Sequence, residues 1–81
     1  MTPEQCYLAD MLSLIIDRAK QAKEAKSIAA AGRIPEERAF EEGRAMAYYE
    51  VVSTLISQGH VFGLDPTVIP MLAFDADKEL L

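Results

Sequence analysis

Few residues in this chain belong to types that do chemistry. Cys6 stands alone as a thiol, and His60 is the single histidine. Cys6 falls in the first turn expected of a helix, where the dipole favours the thiolate and so nucleophilic reactivity. An antiparallel fold would carry His60 toward residue 7, which makes a Cys–His pair geometrically possible. A thiol enzyme also needs an oriented base and a site for the oxyanion, and no residue pattern supplies either. At the end of a helix, His60 is explained more simply as a group favoured by the helix dipole. One Cys and one His cannot build a four-ligand zinc site, and a single cysteine excludes an internal disulfide.

The acidic stretches are no more specific. "DADKE" at 75–79 begins like a calcium loop, but Leu80 stands where the sixth-position glycine belongs and the closing glutamate is missing. It reads as a solvated acidic tail. "EERAFEE" at 36–42 reads as the outside of a helix with i,i+4 pairs such as Arg38 with Glu42. No glycine-rich phosphate loop or dinucleotide fingerprint is present, and the Glu-x-x-His pattern of di-iron bundles is absent. These readings imply no cofactor, no metal and no catalytic residue.

Charge narrows the partners. The net charge is −5, the wrong sign for polyphosphate binding. Lys20, Lys23, Lys26 and Arg33 form the one basic cluster, and residues 1–34 carry five cations against four acids. Residues 35–81 carry nine acids against three cations, so glutamates face the cluster across any turn. A regulatory nucleic-acid-binding or antitoxin-like module remains as an alternative only if the lysines stand clear of those glutamates. No apolar run is long enough to cross a bilayer, and "MTPEQCYLAD" lacks the basic start of a signal peptide. The expectation is a cytoplasmic protein with a reduced thiol and no membrane partner.

What must position these residues is a pair of helices. In "TPEQ", Thr2 is suited to cap, Pro3 to open the helix, and Gln5 to close a capping box. Helix one is expected over about 3–31, with Gly32 as a left-handed terminator. Ile34-Pro35 forbids simple continuation, and Pro35 opens helix two over about 35–62, with Gly63 as its stop. The C-terminal segment, 63–81, starts with Asp65-Pro66 as a cap. It should hold a turn at 66–69 and a short helix from about 70, because Pro70 breaks anything longer. "DADKELL" is expected to fray. The whole chain, 1–81, is thus a single all-α domain built on an antiparallel αα-hairpin.

Folding the chain at 33–34 makes facing positions sum to about 67. The resulting seam joins Leu8, Leu12, Ile15 and Ala19 to Tyr48, Val52, Leu55 and Phe62, with Tyr48 facing the small Ala19 in a coiled-coil-like spacing. Nearer the turn, Lys23 and Lys26 oppose Glu37 and Glu41, where ion pairs would select the antiparallel register. On a wheel of about 100° per residue, the apolar arc of each helix is roughly 200° wide, about twice what one partner covers.

The surplus consists of Met11, Ile16, Ala45, Tyr49 and Ile56, so Tyr48 and Tyr49 serve different faces. Either the C-terminal segment covers this surplus or a second hairpin does, giving a homodimeric four-helix bundle. Five large apolar residues at 68–74 are too few to cover both helices, which favours the dimer. The functional expectation is a small non-catalytic interaction protein. It would associate with itself through its apolar face, and its acidic surface would suit another protein with a basic surface.

Overall fold

A computed structural model describes residues 1–81 as an all-helical chain. Two long helices, α1 (Pro3–Ala31) and α2 (Pro35–Val61), form an antiparallel hairpin. Residues 64–81 then run back along one side of it as a strap. The strap contains a 3-10 turn (Pro70–Ala73) and a short helix, α3 (Ala76–Leu80). The molecule is a rod of 48 × 20 × 15 Å.

Local chemistry sets the ends of the long helices. The Thr2 hydroxyl accepts from the Gln5 amide at 3.1 Å, and the Gln5 side chain accepts from the Thr2 amide at 2.9 Å. That reciprocal box satisfies two amides that the first turn would leave orphaned. α1 does not end on a left-handed residue as expected. Gly32 is extended (φ −83°), and its amide donates to the Ala29 carbonyl. Ile34 is likewise extended, the conformation favoured before a proline, and Pro35 opens α2.

The left-handed residue lies instead after α2. Gly63 has φ 69°, its amide donates to the His60 carbonyl, and Leu64 donates to the Gly59 carbonyl. This pair of bonds is a Schellman ending, which reverses the chain into the strap.

The strap is fastened at several points. The Asp65 carboxylate accepts from both the amide and the hydroxyl of Thr67, which holds the turn at 66–69. "DADKELL" does not fray: the Asp75 carboxylate accepts from the Lys78 amide at 3.1 Å, and α3 follows. Leu80 is buried, and an apolar anchor so near the end is what holds α3 down. Ile69, Leu72, Ala76 and Leu80 of the strap join Leu12, Ile16, Ala19 and Val52 in one core. Burying a leucine or isoleucine contributes about 1.5–3 kcal/mol, so three such residues outweigh a few exposed hydrogen bonds.

Gly59 makes this docking possible. A Cβ at that position would sit 2.5 Å from Leu72 Cδ2. The helix surface must be bare there for Leu72 to enter.

The expected cross-hairpin ion pairs do not form. The one salt bridge joins Arg44 to Glu41 within α2, and the pair of Arg38 with Glu42 is absent. Lys23 reaches the strap instead, where its ammonium donates to the Glu79 carbonyl at 3.0 Å near the negative end of α3.

Candidate interaction surface

The two sides of the hairpin differ. On the strap side, Ile16 is 1% exposed, and Tyr49 and Ile56 are half-buried against the core. The Tyr49 hydroxyl donates to the Asp77 carboxylate. That bond raises the Tyr49 pKa above its ordinary value of 10.0, because ionisation would place two anions together. Ala45 is also buried. Of the surplus residues named from the wheel, Ile16, Tyr49 and Ile56 are therefore covered by the chain's own strap, and Met11 remains exposed. The strap suffices because it packs into the angle between the helices and needs only the inner edge of each arc.

The other side is open. Seam residues at the open end of the hairpin are only partly closed: Leu8 is 43% exposed, Leu55 39% and Phe62 78%, whereas Leu12, Ala19 and Val52 are buried. Ile15 and Tyr48 are intermediate and packed against the core. The Arg44 guanidinium lies 5.9 Å over the Tyr48 ring. Between the helices at this end runs a groove of about 520 Å³. Its walls are Tyr7, Leu8, Met11 and Ile15 on one helix and Leu55, Gln58 and Phe62 on the other, with Leu64, Ile69 and Leu72 at its strap end. Its only polar side-chain groups are the Tyr7 hydroxyl and the Gln58 amide, so the groove is suited chiefly to an apolar surface.

On the strap side, the two carboxylates are already committed to structure. A second, shallower groove of about 490 Å³ contains Ser53, Ser57, His60, Asp75 and Asp77. Asp75 caps α3 and Asp77 holds Tyr49. No α1 residue lines this groove, so Cys6, exposed in the first turn of α1, takes no part in it. Ser53 Oγ is buried without a partner. No three His, Cys, Asp or Glu side chains are placed to hold a metal ion.

The lysine cluster is divided rather than free. Lys20 lies 5.3 Å from the Phe74 ring, and Lys23 is bonded to Glu79. No helix is long and apolar enough to cross a membrane.

Reading the faces from residue spacing missed Phe40 as a member of the open side, which also holds Val51 of the broad apolar arc. Phe40 is 66% exposed and Val51 48%. Both lie within the arc that contains Leu55 and Phe62 at about 100° per residue. The signal was present on the wheel, but Phe40 lies beyond the end of the contiguous apolar run. Comparison with protein-family models, curated proteins and solved structures finds no match to this chain.

Proposed function

We propose that this protein is a non-catalytic helical interaction module that associates with itself through the open side of the hairpin to form a four-helix bundle. The observation that carries this reading is the uncovered apolar groove, where three of the eight expected seam residues, Leu8, Leu55 and Phe62, stay exposed. Only 11 of 81 residues are buried in the single chain, and small domains commonly complete such a core by oligomerising. The surface used is the open side, with Leu8, Met11, Ile15, Val51, Leu55 and Phe62. The strap-covered residues Ile16, Tyr49 and Ile56 serve the chain's own fold. The acidic exterior of residues 35–81 stays outside the bundle and suits a second protein with a basic surface.

Sedimentation equilibrium at micromolar concentration tests the assembly. A two-chain mass is expected, falling to one chain for Leu55→Glu with helix content retained. A one-chain mass for the unsubstituted protein would refute self-association.

A further inference from the structure

The strap is joined to the hairpin in different ways along its length. At its start the Leu64 amide donates to the Gly59 carbonyl, and beyond Leu64 no backbone hydrogen bond links it to α1 or α2. The amides of Val68, Ile69, Leu72, Phe74 and Glu79 all donate to carbonyls within the strap itself. Apolar side chains hold it down: Ile69, Leu72, Ala76 and Leu80 enter the shared core. Its polar links gather at the end far from Gly63. There Lys20 lies over the Phe74 ring, Tyr49 donates to Asp77, and Lys23 donates to the Glu79 carbonyl.

The middle of the strap is a ridge. Leu72 lines both the open groove of about 520 Å³ and the strap-side groove of about 490 Å³. With open space along either edge, the strap is gripped there only from beneath.

From this arrangement we infer that residues 65–81 are a releasable lid, hinged at Gly63 and latched at 74–79, which opens as one unit while the hairpin stays folded. Nothing lies within 4 Å of where a Cβ of Gly63 would stand, so the chain can turn there without a side-chain clash. Opening breaks no hydrogen bond of α1 or α2. Unfolding the hairpin forfeits nearly all of the 50 backbone bonds within helices. Ala22 and Ala45, buried outside the core that the strap shares, keep the helices together near the turn. The open state uncovers Ile16 and Val52, the two largest fully buried side chains, and removes the ridge between the grooves. The chain thus hides an apolar face behind its own latch. This inference does not depend on the self-association proposed above.

Native-state hydrogen exchange of the full chain, resolved by residue at one fixed chain concentration, tests the lid. A released strap cannot keep its short turns in water without packing, so its amides report opening. Those of Ile69, Leu72, Phe74, Lys78 and Glu79 should share one opening equilibrium, at least about tenfold more populated than that of Ile15, Ala19 and Val52. Gly43→Ala separates the two openings. A Cβ at Gly43 meets nothing within 4 Å, so alanine strengthens α2 equally in the closed and lid-open states. Exchange at Ile15, Ala19 and Val52 should slow about threefold to fivefold, while the strap amides keep their rates.

Tyr49→Phe removes the latch hydroxyl and keeps the ring. It should raise the opening of all five strap amides together, by about threefold. Strap amides that slowed with Gly43→Ala would show that the strap leaves only when the hairpin unfolds, and would overturn the lid. Acceleration by Tyr49→Phe confined to Lys78 and Glu79 would mean that α3 merely frays, which overturns it equally.

Discussion

Gly59 and Leu72 give the sharpest test of the strap. At an ordinary helical site, Gly→Ala stabilises by about 0.5–1 kcal/mol, because alanine loses less backbone entropy on folding. Here the added methyl would meet Leu72 Cδ2 at 2.5 Å, and Leu72 is 3% exposed in the core it shares with Ile69, Ile16 and Val52. Overpacking of this kind costs about 1–3 kcal/mol. Gly59→Ala should therefore destabilise the protein by about 0.5–2 kcal/mol in net.

Leu72→Ala should cost about 2–5 kcal/mol by leaving a cavity beneath the strap. In the double variant the new methyl points into that cavity and its helical advantage returns. Gly59→Ala should then stabilise the Leu72→Ala protein by about 0.5–1 kcal/mol, a reversal of sign. Urea unfolding followed by circular dichroism at 222 nm reads all four proteins at one fixed chain concentration, which keeps the proposed self-association from entering the comparison. If Gly59→Ala had the same effect with and without Leu72, the strap would not pack on α2 as described.

Two further outcomes concern the caps and the strap's polar latch. Thr2→Ala removes the side-chain half of the capping box and should cost about 1 kcal/mol at most, measured as faster amide exchange in residues 4–6 with the rest of α1 unaffected. Asp77→Asn should bring the Tyr49 pKa back toward 10.0, read by ultraviolet absorbance of the ionised phenol, because the Asp77 hydrogen bond is the leading cause of its upward shift. With a folded-state pKa above the unfolded one, the Tyr49 contribution is complete below about pH 10 and is lost as pH rises through the folded value. Alkaline unfolding should start earlier for the unsubstituted protein than for a variant equal in stability at neutral pH but lacking this rise.

The sequence by itself determined the elements. Thr2, Pro3 and Gln5 open α1, Ile34-Pro35 separates the helices, Gly63 ends the second, and Asp65 holds the turn after it. Each depends on hydrogen bonds or backbone preferences between residues a few positions apart, so neighbours in sequence suffice to read them. The residues that form the middle of the seam, Leu12, Ala19 and Val52, were legible for a similar reason, since helical spacing fixes which residues share a face.

The tertiary structure alone decided the use of the surplus. A wheel shows that an arc is too broad, but not which flank is covered. Ile16 and Leu8 are equally apolar. Ile16 is buried and Leu8 is not because the Schellman turn at Gly63 and the bare patch at Gly59 send Leu72 to one side. Lys23 meets Glu79 rather than a glutamate of α2 for the same reason, across a distance of 56 residues that local spacing does not encode. The side left open follows from where the strap lies. So does the apolar groove beside Met11 and Leu55.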